Sequence, residues 1–435
     1  MGAGKITYIF ILKFFKFLGL VPNVVQSRMP LSRVYSATII TGLFVYWAVL
    51  LLSFWIPHGK VSNKISVISN WIQLLVNAIT LSITLSYPII SAALVCRIND
   101  LFQHFDKKVE ELGVDINFQK MSRTIVIIIG LLVAYNSYML CYDLYVTYFL
   151  TSVSNLWYWA LTFMPLFLYS FAMCGALCVL LLLHFRFKTL NQLLSREIKG
   201  NRSPFKVGQI VDILMVNEKD KPMRYQHKLT NIFYLMHDLY DLSKLIGHYY
   251  GPVFLTVFTA VFIVTTIQIY YIYTIFYAFD TRNENTIWSI ILCANIIILN
   301  IIMVFSLTSV CESISNESKL SIDTISKLKI NGTNTCNPEE VQKIVTAFHC
   351  TNSHVTFSAN GFFNINYSML CSMIGGITTY LIIYIQFYAL YGSKDGSDVD
   401  NVVKSASSNH DKDDISENGV PEVTRHMSAS RSRMM

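Results

Sequence analysis

A chain of 435 residues that is 53% hydrophobic and only 14% charged is not composed like a soluble domain, in which about a quarter of residues carry charge. The aromatic share is 14%, as expected where rings fill lipid-facing and interfacial positions. The net charge of +7 follows from the way Lys and Arg are retained on one side of a membrane, so no nucleic-acid partner is needed to explain it.

The first apolar segment, residues 6–20, is interrupted by Lys13 and Lys16 and lacks a small-residue cleavage site. Too short to cross, it is expected to lie on the inner leaflet as an interfacial helix. Ile6 stands where a myristoylation signal needs Ser or Thr. Seven later runs reach the roughly 20 apolar residues that a spanning helix needs: 35–56, 68–95, 124–149, 159–183, 252–275, 287–310 and 367–390. Lipid offers the backbone no partners, so each run is expected to be a helix.

Between the fourth and fifth runs, residues 229–246 place apolar side chains at three- and four-residue steps. That spacing predicts a helix continuing into the fifth span. After the sixth run, Asn337-Pro338-Glu339-Glu340 reads as a helix start, with a cap, a first-turn Pro and early acids. These pieces predict a cytosolic helical anchor bundle. Residues 392–435 are polar and rich in Ser and Asp, and are expected to be disordered. The expected plan is therefore a cytosolic N-terminus (1–34), an all-α seven-helix membrane domain (35–391) and a tail (392–435).

Orientation follows from the basic residues. Of the 34 Lys and Arg, 25 fall in the N-terminal region and the loops on its side, 3 in the opposite loops and 6 in the tail. Basic residues stay in the cytosol, so the N-terminus is expected inside and the C-terminus outside. The sequons at Asn201, Asn316 and Asn331 then lie in cytosolic loops, with Asn366 at the inner mouth of the last span. None of the nine cysteines falls in an outer loop, where an oxidising exterior would pair them. Cys336, His349, Cys350 and His354 match no zinc spacing. With no phosphate loop, nucleophile elbow or HExxH helix, no catalytic residue, metal or cofactor is expected.

The outer loops are too short to form a ligand-binding domain, so a ligand must enter the outer halves of the helices. Candidate contacts are Trp71 and Gln73 on the second span, and Tyr138, Tyr142 and Asp143 on the third. Thr162 and Tyr169 on the fourth, Thr266, Gln268 and Tyr270 on the fifth, and Trp288 and Asn295 on the sixth join them. Rings with a few polar groups suit a small organic ligand, although interfacial anchoring is the commoner reason for any single tyrosine.

The last span carries Ser372, Thr379 and Gln386 at seven-residue intervals, close to one face of a helix. Ser368, Gly375 and Gly376 permit close helix approach. A polar stripe in a membrane faces protein or water. It can pack within one subunit, or line a pore built from several.

Within that span, Thr379-Tyr380, five mainly apolar residues and Gln386-Phe387 reproduce the TYhhhhhQF signature, and the chain resembles the insect gustatory receptor family. The approach from Phe357 to Asn366 and the N-terminal Leu18-Gly19-Leu20-Val21-Pro22 are similar to that family too, with Asn360 where Cys is common. The resemblance implies a ligand-gated, non-selective cation channel of the plasma membrane, assembled as a homo- or hetero-tetramer with related subunits and opened by a small tastant. It also implies a pore lined by the seventh helix, with Gln386 and Phe387 at the gate and Ser372, Thr379, Tyr380 and Ile383 along it. Leu381 replaces the Glu that sugar receptors of the group tend to carry, which points to a bitter, fructose-type or other chemosensor. A seven-span G-protein-coupled receptor fits poorly, because it inverts this topology and needs DRY and NPxxY sequences. A transporter should show inverted repeats, and none is evident beyond Pro88 and Pro165 within spans.

Overall fold

The computed structural model describes residues 30–55, 64–112, 118–150, 156–200, 220–278, 284–330 and 355–387. Seven helices are α1 (Pro30–Trp55), α2 (Lys64–Ile90), α3 (Ala92–Glu111), α4 (Phe118–Leu150), α5 (Leu156–Gly200), α6 (Asp220–Ala278) and α7 (Glu284–Ile330). The last, α8, runs Tyr367–Phe387. Among the described residues, all but α3 are long and apolar enough to cross a membrane, seven candidate spans as expected. Residues up to Leu381 form one compact unit and Ile382 begins a second. The proposed interfacial helix, the Asn337 helix start, the Cys336–His354 group and the tail lie outside the described residues.

Three helices are far longer than a bilayer requires. At 1.5 Å per residue, the 45 residues of α5, 59 of α6 and 47 of α7 extend roughly 68, 88 and 70 Å, against a hydrocarbon core of about 30 Å. Their surplus turns meet in one helical anchor. There α3 buries Ile98, Phe102, Phe105 and Val109 at three- and four-residue steps, α5 buries Phe187, Leu190 and Leu194, and α6 buries Ile232, Met236, Leu239 and Leu242. That periodicity keeps these segments helical beyond the lipid.

Polar ties fix the anchor's register. Arg186 of α5 reaches Asp106 of α3 with two parallel bonds, Nε to Oδ1 at 2.9 Å and Nη2 to Oδ2 at 2.7 Å. Its Nη1 donates to the Leu182 carbonyl at 3.0 Å, and its guanidinium lies 4.3 Å from the centre of the Phe102 ring. Lys108 pairs with Asp238 at 3.1 Å, and Tyr240 donates to the Ser318 carbonyl of α7 at 3.1 Å. Between α2 and α3 the helix is interrupted for one residue at Ser91, three beyond Pro88, although the Ser91 N–H still donates to the Tyr87 carbonyl at 2.9 Å.

Candidate functional site

The approach to α8 is a tight hairpin. Asn360 and Gly361 both take left-handed backbone, at φ 52° and 83°, as a type I′ turn demands and an Asn-Gly pair supplies. Phe362 N–H closes the turn onto the Ala359 carbonyl at 3.0 Å, and Ile365 N–H bonds the Phe357 carbonyl at 2.8 Å. Phe357, Ala359 and Ile365 are buried, and Val355 N–H donates to Ser318 of α7 at 3.2 Å. The turn rests on α6 at Gly251, where a Cβ would meet the Asn360 backbone nitrogen at 3.1 Å and its Cα at 3.3 Å. Any other residue there pushes the hairpin away.

Asn366 then starts α8. Its side-chain oxygen accepts the Met369 N–H at 2.9 Å, satisfying one of the donors a helix leaves open at its N-terminus. Residue 366, noted from sequence as a sequon, is therefore a helix cap. Along α8 the Ser372, Thr378 and Thr379 hydroxyls donate to carbonyls four residues back, at 3.1, 3.0 and 2.9 Å. With their protons spent on the backbone, these oxygens offer lone pairs outward, a lining suited to cations.

On its flank α8 meets α6. The Phe262 ring lies against Gly376, where a Cβ would stand 2.9 Å from Cε2, and meets Tyr380 edge-on at 5.7 Å. Tyr380 thus touches α6, while Ser372 and Thr379 are exposed. Ile383, Gln386 and Phe387, in the second unit, are helical and exposed. None of the α8 span is buried, against 67% for the spans of α5 and α6.

The candidate ligand contacts fall into two bonded sets. On α4 and α7 a ladder of rings runs Tyr135–Tyr138–Tyr142–Trp288, with centroids 6.2, 5.9 and 6.0 Å apart. Tyr142 donates to the Trp288 carbonyl at 3.0 Å, and Asn295 donates to the Tyr138 hydroxyl at 3.4 Å. Asp143 is half-buried beside this ladder's helix face. Between α2 and α6, Gln268 donates to Gln73 at 3.4 Å and Tyr271 to Asn70 at 2.6 Å. Trp71 packs with Trp47, Leu74 and Leu161 in a small apolar cluster.

Other candidates have structural partners. Thr266 bonds back to the Phe262 carbonyl at 2.8 Å, Tyr270 is fully buried and Thr162 is half-buried. Tyr169 donates to Asn300 at 3.3 Å, which in turn donates to Thr265 at 3.3 Å, joining α5, α7 and α6 through the core.

Sequence reasoning missed Asn70, Asn77, Tyr271 and Asn300. A signal existed on α2: Ser69, Gln73, Asn77, Thr80 and Thr84 recur at steps of four and three, one face of a helix. Ser69, Asn77 and Thr84 are buried there with a side-chain oxygen that has no partner.

A family model described as 7tm Chemosensory receptor matches residues 8–390. The chain is similar in fold to the insect olfactory receptor OR5 from Machilis hrabei in complex with eugenol, with a TM-score of 0.55 at 14% identity over 87% of this chain and 99% of that one. A second structure of that olfactory receptor gives a TM-score of 0.52 at 15% identity with the same coverage. No curated protein sequence matches.

Proposed function

This chain belongs to the 7tm chemosensory receptor family, and from that premise we propose that it is a gustatory receptor, a ligand-gated non-selective cation channel opened by a small tastant. The observation that carries the reading is α8. It bears the Thr379-Tyr380…Gln386-Phe387 signature and a seven-residue polar repeat, yet no part of its span is buried within one chain. Lipid is a costly setting for hydroxyls and amides. Several copies of α8 around an axis bring the same groups to water, and four related subunits make such a ring.

On this reading the N-terminus is cytosolic, supported by the 25-to-3 partition of basic residues, and the C-terminus lies outside the plasma membrane. Phe387 forms a hydrophobic constriction that closes by dewetting, with Gln386 beside it and Ile383, Thr379 and Ser372 lining the path below. The ligand engages the α4–α7 ring ladder and the Gln73–Gln268 pair. Helix α6 joins this region to the pore, because Gln268 lies six residues beyond Phe262, which touches Gly376 and Tyr380. The signature supports a taste receptor, and Leu381, where sugar receptors of the group tend to carry Glu, supports a bitter, fructose-type or other chemosensor over a sugar receptor.

The test is whole-cell recording from cells expressing the chain, with G-protein signalling blocked, during application of sugars, bitter alkaloids and eugenol. A rapid cation current that survives the block is expected. A response abolished by the block overturns the channel reading.

A further inference from the structure

Beyond the membrane, α5 and α7 border an open groove of about 660 Å³ lined by Lys188, Asn191, Gln192, Ser195, Arg196 and Glu317, with Leu320 at its edge. The described α5 span of 36 residues is nearly twice the ~20 that a bilayer holds. Counted from Leu161, the hydrocarbon is crossed near Leu180, so Lys188 emerges two turns later, ~12 Å on. The headgroup layer is about 5–7.5 Å deep, so the groove begins just past it, within reach of a long Lys side chain, and opens into water.

Its floor is built and rigid. The Asn191 amide donates to the Glu317 carboxylate at 2.7 Å and to the Glu317 carbonyl at 2.9 Å. The Asn191 oxygen accepts from Ser321 at 2.5 Å, and Asn191 is only 7% exposed. The one acid lining the groove is thus held down by the floor. Above it, Lys188, Gln192 and Arg196 follow one another at four-residue steps along one face of α5.

These cations differ from their neighbours. Arg186 is taken by Asp106 and Lys108 by Asp238. Among the described residues, Lys188 and Arg196 make no ion pair or hydrogen bond, and Gln192 and Ser195 make no side-chain bond. Two uncommitted cations with two neutral donors, over a volume far larger than a single ion, match a multiply phosphorylated group.

We propose that this groove binds a polyphosphorylated ligand, with Lys188 and Arg196 each taking a phosphate and Gln192 and Ser195 bonding the ring or linker between them. The shared chemistry is that of a phosphorylated inositol, which reaches the groove either as a lipid headgroup or as a free solute. The site is separate from the pore and the ring ladder, and it stands whether or not the channel reading holds.

The test uses the full chain purified in detergent and in lipid nanodiscs. Soluble inositol 1,4,5-trisphosphate is titrated by calorimetry. In parallel, nanodiscs with and without phosphatidylinositol 4,5-bisphosphate are compared by the protein's thermal unfolding. Each charge-assisted contact is expected to be worth about tenfold in affinity, so Lys188→Gln or Arg196→Gln weakens binding by about tenfold and the pair by about a hundredfold. Both residues are exposed, so unfolding without ligand should stay unchanged, which separates loss of the site from loss of the fold. Gln192→Glu, which sets a negative charge between the two cations, should weaken binding without removing either. Binding of the solute alone, the lipid alone or both supports the site and identifies the source. Failure of the native chain to bind either probe, or equal binding by the double variant, overturns it.

Discussion

Replacing Asp106 by Asn leaves the Arg186 guanidinium almost in place while removing the charge it was folded to meet. Arg186 is 4% exposed and Asp106 22%, joined by bonds of 2.9 and 2.7 Å. In the variant one oxygen can still accept, but the new amide nitrogen faces a donor, so one of the two bonds becomes a repulsion. Removing one partner of a buried pair costs about 3–5 kcal/mol. The partial exposure of Asp106, together with the surviving Leu182 and Phe102 contacts, places this case at the lower end, about 3 kcal/mol, or roughly a hundredfold in the folded population. Equilibrium unfolding in mixed detergent, followed by tryptophan fluorescence, reads it directly. The paired replacement of Asp106 by Leu and Arg186 by Met removes both charges and should recover most of the loss. A loss below about 0.5 kcal/mol, the worth of an exposed pair, would refute the claim that this contact holds α3 to α5.

Asn366→Ala removes the α8 cap and should cost about 1 kcal/mol, seen as faster hydrogen exchange at the Met369 amide with the remainder of the bundle unchanged. Gly251→Val drives a side chain into the Asn360 backbone at 3.1 Å. Overpacking of about 1–3 kcal/mol should lower thermal stability and the yield of assembled protein, while Gly42→Ala, at a position open around its Cβ, should change neither. Phe387→Ala should raise ligand-free cation current at equal surface expression; an unchanged leak counts against a hydrophobic gate at that residue.

The spans were legible because lipid imposes a length and a composition that few other settings share. The long helices were legible only in part. The apolar steps of 229–246 announced the extension of α6, but those of α5 and α7 were hidden by Arg186, Lys188 and Glu312, charges that ordinarily mark the end of a membrane helix. Arg186 is in fact buried against Asp106, and that pairing is set by α3, some eighty residues earlier in the chain. Asn366 was visible as a polar residue before an apolar run, which is what a cap looks like, yet the sequon it also forms drew the reading elsewhere. The ring ladder was half legible: Tyr138 and Tyr142 stand four residues apart in the sequence and so share a helix face, but only the fold brings Trp288 to them. Hydropathy likewise cannot say which side of a spanning helix meets protein, so Asn77 and Asn300 stayed unremarked.

The seat of Asn360 on Gly251 also has a mechanical meaning. It touches α6 near the middle of an 88 Å rod, immediately before Pro252. Ala278 lies 27 residues farther along, or ~40 Å by helical rise. A tilt of about 3° about that contact would carry the far end through ~2 Å and Gln268 through ~1.3 Å by the same geometry, enough to part the Gln73–Gln268 pair, already at 3.4 Å, while leaving the seat almost still. If the chain gates as proposed, a rod so seated would act as a lever with its fulcrum at Gly251. On that reading, changes near the fulcrum should alter the response to every stimulus alike, and changes near the tip should alter which stimulus is felt.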